Sequence, residues 1–307
     1  MKIFESIDSF TSTKKTVVTI GSFDGVHLGH QKIIASLKAE SQKLDAESLI
    51  LSFLNHPRSV LNNNSDLKLL TTNHEKTALL RKSNLNHLIL HPFDNDFANL
   101  SAQEFVSEIL VKKLNVAKII VGHDHRFGKS RSAGFDDLKL FGQQYGFKVQ
   151  QISAQEIDEV SISSTKIRNA LVDGNIKLAN DFLGYAYSIS GNVVGGKQLG
   201  RTIGVPTANI AIDNLQKMIP KKGVYVVQSF LDNKTVFGVM NIGNRPTVDG
   251  QEQTVEIHFL DFDNDLYHQK ISVSILDRIR DEQKFESLAD LKIQISKDIE
   301  VARKLVF

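Results

Sequence analysis

The chain of 307 residues carries 41% apolar and 23% charged side chains and a net charge of +2, a globular composition long enough for two domains. So small a net charge gives no bulk electrostatic case for nucleic acid or a membrane as partner. The absence of cysteine excludes disulfides and thiolate metal sites, and neither a signal-type apolar core at the N-terminus nor a bilayer-length apolar run is present, so a cytoplasmic location is expected.

Residues 17–20 form a short β-branched apolar run, and Gly21, Ser22, Phe23, Asp24 and Gly25 lead from it into helical patterning over residues 31–39. That is a buried strand, a tight turn and a helix start in succession. A helix start offers unpaired N–H groups and partial positive charge, which suit a phosphate. His27 and His30 share a face if the first turn includes both, and two imidazoles there can donate to phosphate oxygens. The plain alternative is a polar loop with two unrelated histidines.

Strand and helix signals then alternate. Residues 48–53 read as a strand; Thr72 and Glu75 form a capping box for a helix to about residue 82. Residues 87–90 are the next strand. Ser101 and Glu104 form a second capping box ahead of an apolar stripe at Phe105, Ile109 and Leu110. Residues 117–121 read as a strand, 135–145 as a helix and 147–152 as a strand. The alternation predicts a doubly wound parallel sheet with ligands at the carboxyl ends of its strands.

Two loops of this half have anion-binding chemistry. One runs from Gly122 to Gly134 with His123, Asp124, His125, Arg126, Lys129 and Arg131; a solvated surface loop is the alternative. The other is Ser161-Ile162-Ser163-Ser164-Thr165-Lys166-Ile167-Arg168, where serines can cap a helix over 165–171. Two cations in a first helical turn oppose the helix dipole, which a bound polyanion would offset.

The pattern changes at residues 184–188. Short β-branched and aromatic runs follow at 189–194, 223–230, 236–240, 254–262 and 271–276, predicting a small barrel or sandwich. Leu288, Leu291, Ile295, Ile299 and Ala302, with Ser287 and Asp290 as a capping pair, predict a final helix packed on it. The expected domains are residues 1–184 and 185–307.

In the second half Thr207 and Asn209 project from one face if their segment is extended. A hydroxyl and an amide oxygen so placed can ligate a hard cation such as magnesium; a turn set by Pro206 is the alternative. Glu256 alternates with Val255, Ile257 and Phe259, so it faces either a cavity, as a base, or solvent. Residues 191–197 match a Walker A spacing up to Lys197, but Gln198 stands where a hydroxyl is needed and the glycines lie among strand signals. The run from Gly195 through Gly196 and Gly200 to Arg201 can still serve as a flap over phosphates.

These motifs together resemble the bacterial bifunctional riboflavin kinase/FAD synthetase family over nearly the whole chain. Gly21 to His30 is similar to its His-x-Gly-His nucleotidyltransferase signature. Residues 121–128 and 162–168 are similar to its other two nucleotide motifs. Gly200-Arg201-Thr202-Ile203-Gly204-Val205-Pro206-Thr207-Ala208-Asn209 resembles its kinase signature, with residues 241–247 and 255–258 as later blocks. The resemblance implies a Rossmann-like nucleotidyltransferase followed by a small antiparallel β-barrel with a terminal helix. It implies phosphorylation of riboflavin to FMN and adenylylation of FMN to FAD, with ATP and Mg2+. It assigns ATP binding to Gly21, Phe23, His27, His30, Asp124, Ser164, Thr165 and Arg168, with the two histidines stabilising charge at the α-phosphate. In the kinase half it assigns Gly196, Gly200 and Arg201 to phosphates, Thr207 and Asn209 to phosphate and magnesium, and Glu256 to the general base. Asp124 stands where many members carry asparagine, Tyr185-Ala186 where Arg-Pro is usual, and His268 where glycine is common. The competing readings are a nucleotidyltransferase for another phosphorylated acceptor, and a flavin- or nucleotide-binding regulator. The oligomeric state is left open.

Overall fold

The structure is a computed structural model and describes residues 1–61, 67–153, 162–196, 200, 204–247 and 250–306. It divides into two compact units, Met1–Ser164 and Thr165–Phe307.

The first unit is built on six parallel strands: β1 (Lys2–Phe4), β2 (Thr16–Ile20), β3 (Glu47–Phe53), β4 (His87–His91), β5 (Val116–Gly122) and β6 (Lys148–Ile152). Their order in the sheet is β1-β4-β3-β2-β5-β6. The central strands are apolar runs because both sheet faces are covered. Alternate residues serve the two faces: Val18, Leu49, Leu51, Ile119 and Val121 pack with Phe105, Leu110 and Leu138. Val17, Ile50, Leu88 and Ile120 pack with Ile33, Ile34, Leu37 and Leu80 on the other. The longer helices are α1 (Leu28–Lys43), α2 (Asn73–Arg81) and α3 (Phe135–Tyr145), with a π-helical stretch over Phe105–Lys113. Both predicted capping boxes form, at Thr72/Glu75 and Ser101/Glu104. The chain leaves β2 to build β3 and β4 on one side and returns to place β5 on the other. The strand order therefore reverses between β2 and β5, where a doubly wound sheet opens its crevice.

The second unit starts with α4 (Ser164–Asp173), shared with the end of the first, and α5 (Ile176–Leu183). Six antiparallel strands follow: β7 (Ser188–Val194), β8 (Ala208–Ala211), β9 (Gly223–Leu231), β10 (Lys234–Thr247), β11 (Gly250–Phe259) and β12 (Lys270–Arg280). They close in the order β10-β11-β8-β7-β12-β9, so of the two predicted architectures the barrel is the one formed. The last helix, α6 (Leu288–Val306), lays Ile299, Ala302 and Val306 against Val224, Val226 and Val239. Arg280 pairs with the buried Asp298 at 2.7 Å and ties α6 to β12. On α5, Asn180 donates to the Ile275 carbonyl at 3.0 Å and accepts from Tyr187 N–H at 2.7 Å. That helix thus packs with the barrel, although the sequence pattern changes only at Gly184. His268, where glycine is common, has φ 64°, the left-handed conformation that favours glycine.

Candidate active sites

The first centre lies where β2 ends. Gly21 N–H donates to the Leu51 carbonyl at 3.1 Å, and the chain then turns through left-handed φ at Phe23 (49°), Gly25 (82°) and Val26 (38°). A β-branched residue at positive φ is a strained conformation that the surroundings must enforce. Asp24 supplies that enforcement. Its buried carboxylate accepts from Leu70 N–H at 3.1 Å, Thr71 N–H at 2.9 Å and Thr71 Oγ1 at 3.2 Å. Thr71 Oγ1 in turn accepts from Gly25 N–H at 3.1 Å.

His27 is the N-cap of α1, and its Nδ1 accepts from His30 N–H at 3.4 Å. With Nδ1 accepting, Nε2 is the N–H donor of the His27 ring. The two imidazoles stack, centroids 3.7 Å apart and 19° between planes, and the Phe23 ring lies 4.9 Å from His30. Burial first, then the charges of His27 and Lys76, hold His30 well below the usual imidazole range, so it is neutral at neutral pH. Its Nδ1 is buried with no hydrogen-bond partner among the described residues.

The loop after β5 borders the same crevice, since Thr19 pairs with Ile120. Phe127 and Ala133 exchange backbone hydrogen bonds at 3.1 Å, folding the loop on itself. Asp124 is exposed, whereas burial pushes His125 down to about 4 against the opposing charge of Asp124, and its Nε2 is also without a partner among the described residues. Ser164 Oγ donates to the Asp24 carbonyl at 3.0 Å, so this hydroxyl serves the loop of the first centre. Thr165 and Arg168 stand in the first turns of α4 and belong to the second unit.

The second centre is a row across three barrel strands. Register places Asn209 of β8 opposite Glu256 of β11, and Glu256 opposite Asn241 of β10. Val255, Ile257 and Phe259 are buried while Glu256 is partly exposed, so its carboxylate is turned out of the apolar core. Thr207 precedes β8 by one residue and falls on the Asn209 side by the period of two. His258 Nδ1 donates to the Pro206 carbonyl at 2.8 Å, which holds the Thr207 segment to β11. Gly196 lies against the Asn209 amide so closely that a methyl group there would collide with it. Gly200 accepts from Val205 N–H at 2.8 Å; Arg201 lies outside the described residues. Gly191 of the Walker-like spacing sits inside β7, where a side chain would strike the Ala211 carbonyl, so this glycine serves strand packing. The Glu282 carboxylate reaches Gly243 beside Asn241 and also lines an open cavity of about 510 Å³ with Ile219, Lys221, Lys222 and Gln253.

Among the described residues no group of three or more His, Cys, Asp or Glu side chains could hold a metal ion. A cation at the second centre requires hard oxygen donors beside water and phosphate. The Thr207 hydroxyl and the Asn209 amide fit that requirement, since magnesium favours hard oxygen donors and keeps several waters. The sequence pointed to neither Lys76 nor Glu282 as site-lining residues, and to Asn241 only as the start of the family block 241–247. Lys76 sits in the helix marked in sequence only by its Thr72/Glu75 capping box, yet its ammonium is buried beneath the first centre.

A family model described as FAD synthetase matches residues 9–166, and one described as riboflavin kinase matches residues 183–306. The chain is 40% identical to the bifunctional riboflavin kinase/FMN adenylyltransferase of Escherichia coli (strain K12), covering 99% of this chain and 97% of the relative. It is 39% identical to the protein of the same name from Haemophilus influenzae, over 93% of this chain and 92% of that one. A solved structure named as a macrolide-efflux protein from Streptococcus pneumoniae superposes with a TM-score of 0.90 at 32% identity, covering 98% of both chains. No described helix of the present chain is long and apolar enough to cross a membrane.

Proposed function

The chain belongs to the bifunctional riboflavin kinase/FMN adenylyltransferase family, and from that premise we propose how its residues divide the work. The enzyme phosphorylates riboflavin to FMN with ATP, then adenylylates FMN to FAD with release of pyrophosphate. Residues 1–184 carry the adenylyl transfer and residues 185–307 the kinase, in a cytoplasmic enzyme without nucleic-acid or membrane partners. The alternatives of a different acceptor or a non-catalytic regulator have no observation in their favour.

In adenylyl transfer an FMN phosphate oxygen attacks the α-phosphorus of ATP, and the bond to the β-phosphate breaks. Gly21, Phe23, Asp124, Ser164, Thr165 and Arg168 bind the nucleotide. The His27 and His30 rings donate hydrogen bonds where charge grows on the α-phosphate oxygens. Catalysis is by positioning and fixed dipoles, without a covalent intermediate. In the kinase, Glu256 takes the proton of the riboflavin 5′-hydroxyl as that oxygen attacks the γ-phosphorus. Gly196, Gly200 and Arg201 bind the phosphates, and Thr207 and Asn209 would hold phosphate and Mg2+, which would neutralise phosphate charge when bound.

The observation that carries the kinase assignment is the register of Glu256 directly opposite Asn209. Glu256→Gln is expected to form no FMN from riboflavin while still converting supplied FMN to FAD; His30→Ala is expected to do the reverse. A Glu256→Gln enzyme that phosphorylates riboflavin at the wild-type rate removes Glu256 from the mechanism.

A further inference from the structure

Lys76 has no place in the mechanism just given, yet its ammonium is buried and held by three oxygens. It projects from α2, only 5% exposed, and its Nζ donates to the Phe53 carbonyl at 2.8 Å, Ser52 Oγ at 3.2 Å and the Ser22 carbonyl at 3.3 Å. Ser52 Oγ in turn donates to the Ser22 carbonyl at 3.1 Å. Three acceptors match the three N–H bonds of an ammonium; a neutral amine has only two. Two of the acceptors belong to the carboxyl end of β3, and the third is the residue before Phe23 in the left-handed loop. The charged and titratable groups around it are Asp24 in that loop, His27 and His30 on α1, and Glu75 on its own helix; β3 contributes only neutral oxygens.

We propose that Lys76 is a positioning residue for adenylyl transfer: its ammonium clamps Ser22 to the end of β3, fixing the loop that presents Phe23, His27 and His30. Its charge also contributes to keeping His30 neutral, so the His30 ring meets the nucleotide as a hydrogen-bonding group without a cation's charge. The inference rests on the adenylyltransferase reading of this centre. Burial pushes Lys76 down to about 8, against the attraction of Asp24. The clamp is therefore complete below that pH and loses one hydrogen bond and its charge above it.

The test measures FAD formation from supplied FMN, and riboflavin phosphorylation separately, for the full chain and for Lys76→Met across a pH series. Wild-type kcat for FAD formation is expected to fall on an alkaline limb near pH 8. Lys76→Met is expected to lose about a hundredfold in kcat at neutral pH. It should change KM for ATP much less, lack the alkaline limb and phosphorylate riboflavin normally. Equal kcat and the same limb in Lys76→Met overturn the proposal. So does a loss of kcat with the limb retained, which would mark a purely structural side chain. If circular dichroism shows that Lys76→Met does not fold, Ser52→Ala decides: it keeps the ammonium but removes an acceptor, so the limb should move to lower pH, and an unmoved limb overturns the clamp. Absence of FAD formation by the wild-type enzyme would instead refute the adenylyltransferase reading itself.

Discussion

Replacing Asp24 by asparagine tests how the first centre is held without touching a group assigned to substrate. The carboxylate uses one oxygen for Thr71 N–H and Oγ1 and the other for Leu70 N–H. An amide of the same shape has one oxygen. Placed toward Thr71 it keeps those bonds, and its NH2 then faces Leu70 N–H, donor against donor. The loss is a hydrogen bond to a charged group, worth about 1.5–3 kcal/mol, together with a buried N–H left unpaired, so a total of about 3 kcal/mol is expected. Spread over the unit Met1–Ser164, that corresponds to a fall in Tm of roughly 6–12 °C. Scanning calorimetry should show the first unit's transition moving down with the barrel's transition in place. At a temperature where Asp24→Asn is still folded, FAD formation from FMN should fall and riboflavin phosphorylation should not. A variant that melts with the wild type and makes FAD at the wild-type rate would show that the Asp24 network neither stabilises nor shapes the loop.

Two further outcomes concern the barrel. Gly196→Ala puts a methyl group against the Asn209 amide, so riboflavin phosphorylation should drop about tenfold or more while FAD formation from FMN is unchanged, read in separate assays. Asp298→Ala leaves the part-buried Arg280 guanidinium without its carboxylate, and urea unfolding should show the barrel destabilised by about 3–5 kcal/mol with α6 the first element to exchange amide hydrogens.

The fold was legible where local chemistry sufficed. Mostly apolar runs marked β2, β3 and β4 as strands, and the Thr72/Glu75 and Ser101/Glu104 boxes marked helix starts because both partners lie within one turn. The histidine pair was legible for the same reason: a spacing of three and an N-cap at His27 suffice to stack the rings. What supports that pair was not legible. Asp24 meets Leu70 and Thr71, and Lys76 meets Ser22 and Ser52, only after β3 and α2 have been built. β1 is three residues long and carries too little pattern to be seen. The apolar stripe at Phe105, Ile109 and Leu110 gave no sign that its helix would wind as π. In the barrel, alternation placed Glu256 on the polar face but left it facing either solvent or a site. The pairing with Asn209 and Asn241 that turns it into part of a row follows from strand register, which barrel closure sets.

The two centres differ in how they depart from ordinary local structure, and the difference follows from what each must hold. At the first centre the departures are energetic: Phe23 and Val26 at positive φ, a His30 nitrogen without a partner among the described residues and a buried ammonium all lie in or against one loop. Such costs persist only when surrounding contacts impose them, and here the contacts come from β3, α2 and residues 70–71. Among the described residues of the second unit, the non-glycine residues at positive φ, Asp232, Asn233, Asp261 and His268, lie outside the Asn209–Glu256–Asn241 row. The barrel's regular strands already place that row without bending the backbone, and the departure is instead steric, at Gly196 against Asn209. A strained loop can orient rings toward a phosphate from one side; a strand register can set a carboxylate beside an amide with no strain at all. Substitutions that relieve the positive φ itself, such as Val26→Gly, should therefore cost activity and raise stability together, unlike the loss of a supporting contact at Asp24, whereas at the second centre the costs should fall on activity alone.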